Sequence, residues 1–454
     1  MIVQKFGGTS VANADRIRAA AEIVRSHAAR RPVVVVSALA GVTDLLVAAI
    51  AAAGAGRLDA LEPILADLER RHRWALAGLF ENARGRHDLT LALDERFEEL
   101  RQLLRAIRVL GEATPRAADT LLAFGELLSS RLVEAQLQAR GVAALWVDPT
   151  QVVRTDARFG SAEPDLEATA ELCRAVLVPA LDSGLVPVLG GFVGATAEGI
   201  PTTLGRGGSD TTAAVLGACL GAEEIQIWTD VDGILTADPR LVPSASTVAT
   251  VSFAEAAELA HSGAKVLHPA SIAPAVERGI PVQVRNAARP DHPGTTVLRS
   301  ARGRRAEVAS IASRQGLALL CVRSVDMRHD PDRLATVLAA VRRNGVTPAL
   351  AVASELGVAL AVADGPSAAA AAHELAVHGD VELHTRRAAV SVVGERLTTD
   401  AGLRAAVLSA FAEISAEMLS TGASATGMTA ILPEASLEPA VRALHGRFFG
   451  GREG

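Results

Sequence analysis

A glycine-rich segment, TTLGRGGSDTTAA at positions 202–214, has the composition of an anion-binding loop that leads into a helix. It contains three glycines, Gly205, Gly207 and Gly208. Glycine permits left-handed backbone angles and close approach of a ligand to the chain. Ser209 and Asp210 are favourable N-cap residues, so we expect the helix to begin there. A helix N-terminus attracts anions, and Arg206 can bind a carboxylate or phosphate. A glycine turn before a capped helix is also an ordinary α/β connection, so this segment alone leaves both interpretations open.

Lysine is rare in this chain. Of its 45 basic residues, 43 are arginine and two, Lys5 and Lys265, are lysine. A compact ammonium group suits phosphate oxygens in a narrow site, so we interpret both lysines as candidate nucleotide contacts. The alternative is that these two lysines are present by chance. The P-loop pattern GxxxxGK[ST] is absent, which excludes a Walker-type site.

Acidic residues at two places could also bind a ligand. Glu126 lies in the apolar stretch AFGELLSS, where an unpaired carboxylate would be costly. It therefore either pairs with an arginine of the fold or faces a cationic ligand. Asp230 and Asp232 follow a strand-like run and could hold Mg²⁺ or ribose hydroxyls, but Asp-Gly is equally a turn signal.

The segments that would position these residues alternate between strand and helix. Residues 2–5 and 33–37 are strand-like, and a glycine turn and a helix at 15–28 lie between them. This βαβ unit implies a parallel sheet, in which ligands collect beyond the carboxyl ends of the strands. Lys5-Phe6-Gly7-Gly8 and residues 40–43 would lie there.

The following segments continue the pattern. Residues 45–141 are predicted to be almost wholly helical, with helices at 58–80, 93–110 and 119–140. Alternation then resumes with a helix at 166–181, strands at 185–189 and 224–228, and a helix at 253–261.

Length and composition set broad limits. A chain of 454 residues predicts two or three domains, and a net charge of −6 gives no support for nucleic-acid binding. No apolar run reaches the ~20 residues that span a bilayer, so no membrane association is expected. The start MIVQKFGG lacks the regions of a signal peptide, which favours a cytoplasmic location. The three cysteines are scattered and suggest neither a disulfide framework nor a zinc site.

Seven motifs, in this order and spacing, resemble those of aspartokinases. They are KFGGTSV (5–11), SALAGVTDLL (37–46), FGELLSS (124–130), TTLGRGGSDTTA (202–213), WTDVDGI (228–234), ADPR (237–240) and GAKVLHP (263–269). The run WVDPTQVVRTDARFGSAEPD (146–165) is most similar to the lysine-sensitive monofunctional branch. The resemblance implies an amino-acid-kinase-type αβα sandwich with a mainly parallel sheet over residues 1–298, including a helical subdomain at about 45–141.

The resemblance also implies an activity and a site. The expected reaction is ATP-dependent phosphorylation of L-aspartate to 4-phospho-L-aspartate, the first step towards lysine, threonine and methionine. Lys5 and Asp210 would flank the transferred phosphoryl group. Aspartate would be held by Thr43, Glu126, Arg206, Gly207, Gly208 and Ser209, which favours the ligand interpretation of Glu126. ATP would be held by Lys5, Gly7, Gly8, Ser10, Thr229, Asp230, Arg240, Lys265 and Val266. Mg²⁺ would arrive with the nucleotide, without a set of metal-binding residues in the protein.

The C-terminal third has a different pattern, in which strand-like and helical runs fit two βαββαβ units. The resemblance identifies them as α+β ACT domains at 306–380 and 381–454, with strand 306–314 donated to the second. Such domains imply a homodimer or a dimer of dimers.

The chain departs from the family in this region. It has Asp332-Arg333-Leu334 where lysine-sensitive enzymes have Gly-Phe-Leu, and Ala349 at the position of a lysine-binding aspartate. We therefore expect lysine inhibition to be weak or lost. Two rival functions stay open: a kinase for a related acidic amino acid in a specialised pathway, and a non-catalytic amino-acid sensor.

Overall fold

A computed structural model describes residues 1–80, 83–263, 267–301, 307–323, 332–422 and 424–450 of the chain. The chain divides into two compact units. The first comprises Met1–Gly233 and Leu267–Arg299, and the second comprises Ile234–Val266 and Ser300–Gly454.

The first unit is built around a mainly parallel sheet. Its strands are β1 (Ile2–Phe6), β2 (Pro32–Val36), β3 (Ala144–Trp146), β4 (Val186–Gly190), β7 (Glu224–Thr229), β9 (Val282–Asn286) and β10 (Thr295–Leu298). They lie in the order β3-β4-β2-β1-β7-β9-β10, and only the pairing of β10 with β9 is antiparallel among these described strands. A separate hairpin joins β5 (Val193–Ala195) and β6 (Pro201–Thr203). The predicted α/β class with a mainly parallel sheet is confirmed.

Helices cover the sheet of the first unit. They are α1 (Ala14–Ser26), α2 (Val42–Gly54), α3 (Leu58–Leu79), α4 (Ala83–Leu110), α5 (Pro115–Leu122), α6 (Phe124–Ala139), α7 (Leu166–Asp182), α8 (Gly208–Leu220) and α10 (Pro269–Glu277). All five residues of β2 are buried, because helices pack on both faces of a parallel sheet and its central strands therefore consist of β-branched residues.

Two helical predictions in this unit were wrong in their bounds. The helix expected at 119–140 is two helices, because Ala123 separates α5 from α6. Thr114, whose side chain accepts from Ala117 N, caps α5 ahead of Pro115, a favourable first helical residue. The helix expected at 93–110 already begins at Ala83.

The second unit combines helices with an antiparallel sheet. Its elements are β8 (Thr250–Ser252), α9 (Phe253–His261), β11 (Ser310–Arg323), α11 (Asp332–Arg343), β12 (Leu350–Ser354), β13 (Gly357–Ala363), α12 (Pro366–Leu375), β14 (Asp380–Val393), α13 (Ala401–Ala412), β15 (Met418–Thr421), β16 (Gly427–Pro433) and α14 (Leu437–Phe449). The sheet has the order β12-β13-β11-β14-β16-β15.

The long strands β11 and β14 run through the middle of this sheet. Residues 310–314 of β11 pair with 389–393 of β14, and residues 317–323 pair with 380–387 after a register shift. One continuous sheet therefore spans both predicted ACT regions, and the boundary between them at 380/381 stays a prediction. No helix among the described residues has both the length and the apolar character needed to cross a membrane.

Candidate active site

A cavity of about 550 Å³ opens in the first unit beyond the carboxyl ends of β1, β2 and β4. It brings together the following predicted site residues: Lys5, Gly8, Thr43, Glu126, Arg206, Gly207, Gly208, Ser209 and Asp210. These residues come from four distant parts of the chain. Parallel strands end at the same edge of the sheet, and their loops converge there.

Lys5 and Asp210 form an ion pair on the cavity wall. The Lys5 ammonium, on β1, lies 2.6 Å from Asp210 Oδ1 in the first turn of α8. The side chains are only 11% and 15% exposed, so water screens this pair much less than a surface pair. A Cβ atom on Gly7 would lie 3.6 Å from the Lys5 ammonium, so the chain that follows β1 passes beside this charge without a side chain.

Glu126 provides a buried carboxylate at the start of α6. It is 4% exposed, and its Oε2 atom has no hydrogen-bond partner among the described residues. Burial raises the pKa of Glu126 from 4.5 to about 8, against the opposing effects of backbone hydrogen bonds at Ala38 and Glu126 itself and of the Lys5 charge. The helix approaches β4 closely here, since a Cβ atom on Gly190 would lie 2.9 Å from Glu126 Cβ. Glu126 is therefore suited to receive a cationic group of a ligand.

Arg206 lies at the tip of the glycine loop. Its side chain is exposed, and no ion pair or hydrogen bond engages it among the described residues. The flanking glycines, Gly205 and Gly207, have φ angles of +69° and +76°, which only glycine adopts without strain. A Cβ atom on Gly207 would also clash with Ser271 Oγ of α10. The guanidinium is thus free to bind an anion that enters the cavity.

The helix start differs from the prediction in one detail. The N-cap of α8 is Gly207, so Ser209 and Asp210 lie inside the first turn and do not cap it. An acidic side chain in the first turn still interacts favourably with the helix dipole. Helix α2 begins in the same way, with Gly41 as N-cap at φ +75° and with Thr43 and Asp44 lining the cavity. Two helix N-termini therefore contribute to the cavity wall, and both favour negatively charged ligands.

The residues predicted to bind ATP are only partly assembled in this cavity. The Gly7 amide and the Ser10 hydroxyl donate to the Trp228 carbonyl at 3.0 and 3.1 Å, which ties the turn after β1 to the end of β7. Thr229 is the last residue of β7 and Asp230 follows it, and the Thr229 hydroxyl donates to Asp230 Oδ1 at 3.2 Å.

Three further predicted nucleotide contacts remain predictions. Arg240 belongs to the second unit, where it pairs with Asp238 at 2.6 Å. Lys265 and Val266 lie outside the described residues. Asp232, one of the acids considered for Mg²⁺, forms an ion pair with Arg289 and accepts a hydrogen bond from Asn286. Within the described ranges, no group of three or more His, Cys, Asp or Glu side chains could hold a metal ion.

The sequence interpretation missed two residues that support the cavity. Asp119 on α5 is 1% exposed and binds both Gly160 and Thr203, which line the cavity. Ser271 packs against Gly207. An acid on the apolar side of ATPRAADTLL was the available signal for Asp119, whereas nothing local marks Ser271.

Comparison with known proteins agrees with this geometry. The profile of the amino acid kinase family matches residues 1–286, and that of the ACT domain matches residues 390–448. The chain is 37% identical over 469 residues to lysine-sensitive aspartokinase 3 of Escherichia coli strain K12, covering 99% of each. The chain belongs to the aspartokinase family. Plant aspartokinases are similar as well: aspartokinase 2, chloroplastic, of Arabidopsis thaliana is 34% identical over 470 residues, covering 98% of this chain and 84% of that one.

Solved aspartokinase structures share the fold. Escherichia coli aspartokinase III in complex with lysine and aspartate, in its T-state, superposes with a TM-score of 0.88 at 36% identity and 99% coverage of both chains. The same enzyme with aspartate and ADP, in its R-state, gives a TM-score of 0.79, again at 36% identity, covering 99% of this chain and 100% of that one. The predicted family and fold are confirmed.

Proposed function

We propose that the protein transfers the γ-phosphate of ATP to the β-carboxylate of L-aspartate, giving 4-phospho-L-aspartate in the first step of the aspartate pathway. One observation carries this proposal: a single cavity contains a buried carboxylate with one oxygen that has no hydrogen-bond partner among the described residues, a free guanidinium and a shielded ammonium group. The relatives that cover the full chain are aspartokinases, and one solved relative binds aspartate and ADP.

Opposite charges in the cavity match the α-amino and α-carboxylate groups of an amino acid. Glu126 would bind the α-ammonium of aspartate, which gives the carboxylate a positive partner in place of the water that burial removes. Arg206 would bind the α-carboxylate. Thr43 and the loop residues Gly207, Gly208 and Ser209 would complete the aspartate site, leaving the β-carboxylate directed at the nucleotide.

The transfer step needs alignment and charge neutralisation more than it needs a base. An aspartate β-carboxylate is already ionised at neutral pH, so its oxygen attacks the γ-phosphorus as the bond to the β,γ-bridging oxygen breaks and ADP leaves. Lys5 would neutralise negative charge on the transferred phosphoryl group, and Asp210 would hold the Lys5 ammonium in place. Gly7, Gly8, Ser10, Thr229, Asp230, Arg240, Lys265 and Val266 would bind ATP. Mg²⁺ would accompany the nucleotide and keep several of its waters.

We also propose that lysine regulates the protein weakly or not at all and that the protein assembles into dimers. Ala349 is exposed and immediately precedes β12, whose residues 350–353 are Leu-Ala-Val-Ala, so this stretch offers an ammonium group no carboxylate. Lysine inhibition would therefore be weak or absent. The protein would act in the cytoplasm as a homodimer or dimer of dimers assembled through its ACT domains.

The test is acyl-phosphate formation trapped with hydroxylamine as the aspartyl hydroxamate. ATP, Mg²⁺ and aspartate are supplied together, and the assay is run without and with millimolar lysine or threonine. Turnover that lysine does not inhibit supports the whole proposal, and potent lysine inhibition contradicts its regulatory part. If aspartate gives no turnover, the proposed activity is contradicted, whether or not other acidic amino acids react.

A further inference from the structure

Asp119 is a fully buried carboxylate that holds two segments of chain together. Its Oδ2 atom accepts hydrogen bonds from the Gly160 and Thr203 amides, both at 2.9 Å, and its Oδ1 atom accepts one from the Thr203 hydroxyl at 2.7 Å. No ion pair involves this carboxylate within the described part of the chain. Its charge is thus compensated by hydrogen-bond donors, and losing any of them would leave a buried charge incompletely solvated.

These bonds fix the place where the glycine loop leaves the β5-β6 hairpin. Thr203 is the last residue of β6, three positions before Arg206. Its carbonyl accepts from the Ala162 amide at 2.9 Å, and a Cβ atom on Gly205 would lie 3.2 Å from the Gly160 carbonyl oxygen. The segments at 160–162 and 203–205 are therefore packed on each other, and Asp119 bonds to both.

We propose that Asp119 is a positioning residue that holds Arg206 where it binds the α-carboxylate of the substrate. Arg206 is exposed, and its side chain makes no hydrogen bond or ion pair in the described structure, so its location depends on the backbone that carries it. The Gly208 amide donates to the Gly205 carbonyl at 3.0 Å, which closes the turn that carries Arg206. The bonds of Asp119 to Gly160 and Thr203 hold the start of this turn in place. This inference rests on the proposed role of Arg206.

Steady-state kinetics of Asp119→Ala test the inference. We expect kcat/KM for aspartate to fall about 10- to 100-fold, mainly through KM, because a small displacement of a binding group has a large effect. The KM for ATP should stay unchanged. Asp119→Asn should recover most of the loss, since its amide oxygen can accept both backbone N–H groups while its NH₂ group donates to the Thr203 hydroxyl.

A control removes an exposed carboxylate that also accepts two backbone N–H groups. Asp165 accepts hydrogen bonds from the Glu167 and Ala168 amides at the start of α7 and does not line the cavity. Asp165→Ala should therefore leave both KM values unchanged. Thr203→Val, which removes one of the three hydrogen bonds of Asp119, should raise the KM for aspartate about 3- to 10-fold.

A double-mutant cycle with Arg206→Ala shows whether Asp119 acts through Arg206. The double variant should be no worse with aspartate than Arg206→Ala alone, because the guanidinium that Asp119 positions is already absent. Additive losses, or an equal rise in the KM for ATP, would overturn the inference while leaving the proposed function intact. If Asp119→Ala does not fold, Thr203→Val is carried through the same cycle with the same criteria. Only a wild-type protein without aspartate turnover would count against the function itself.

Discussion

Replacing Glu126 by glutamine is expected to stabilise the ligand-free protein. The carboxyl group has a pKa of about 8 in the folded protein against 4.5 as its ordinary value. An acid with a raised folded-state pKa binds more protons when folded, so its contribution lowers stability progressively as the pH rises from 4.5 to 8. The cost works out at about 3 kcal/mol at pH 7 and about 5 kcal/mol above pH 8 as upper bounds. Glutamine, nearly the same in shape and always neutral, avoids this cost.

Denaturant unfolding of the ligand-free protein at pH 5, 7 and 8.5 measures the effect. We expect Glu126→Gln to match the wild type near pH 5 and to gain about 1–3 kcal/mol by pH 7, which allows for relaxation around the buried charge. The gain should be larger still at pH 8.5. Glu62, exposed on α3, supplies the control, since Glu62→Gln should shift stability little at any of the three pH values.

Aspartate should reverse the order of stability of the wild type and Glu126→Gln if Glu126 binds its ammonium group. The ligand should stabilise the wild type and leave Glu126→Gln nearly unchanged, and the variant should lose aspartate turnover. A stability difference that is independent of pH, or a variant less stable than the wild type at pH 8.5, would refute the electrostatic reasoning about this carboxylate.

Three further outcomes are expected. The KM for aspartate should rise by up to about tenfold per pH unit below pH 8, because Glu126 must ionise to pair with the ammonium, and a flat KM between pH 6.5 and 8 would contradict this. Lys5→Met should lower kcat about 100- to 1,000-fold in the hydroxamate assay with little change in the KM for aspartate, whereas a loss confined to KM would assign Lys5 to ground-state binding. Gly207→Ala should cost about 1–2 kcal/mol of stability, because alanine is strained at the left-handed φ of this position. Adding Ser271→Ala should relieve only the clash with Ser271 Oγ. Complete recovery of stability in the double variant would therefore argue against backbone strain.

The sequence carried enough information to predict the framework of the first unit. Residues 2–36 indicate a βαβ unit because a run of β-branched residues in β2 follows an amphipathic helix. Short strands such as β3 and β10 were missed, since three or four residues with little periodicity gain their structure from strand pairing. The break between α5 and α6 was missed for a related reason: both helices continue the same apolar spacing across Ala123.

The site was predictable where chemistry and composition coincide. Lys5 stood out because lysine is otherwise almost absent, and Glu126 because its neighbours are apolar. Asp119 and Ser271 act on the glycine loop from segments 84 and 64 residues away from the positions they contact, Thr203 and Gly207, and their partners are set only when the chain folds. The N-cap of α8 was misassigned because Ser209 and Asp210 are better capping residues than Gly207 by propensity, whereas the left-handed turn at Gly207 fixes where the helix begins.

The glycine starts of α2 and α8 have a consequence for engineering. Among the described residues, neither helix has a side chain hydrogen-bonded at its N-cap, although an Asp, Ser or Asn there is a routine way to stabilise a helix by about 1 kcal/mol. Such residues would not stabilise these two helices, because Gly41 and Gly207 have φ angles of +75° and +76°, at which any side chain adds strain. Their side chains would occupy amide groups that an incoming anion could otherwise use. A variant library selected for heat resistance should therefore retain glycine at both positions, and so should a library selected for turnover.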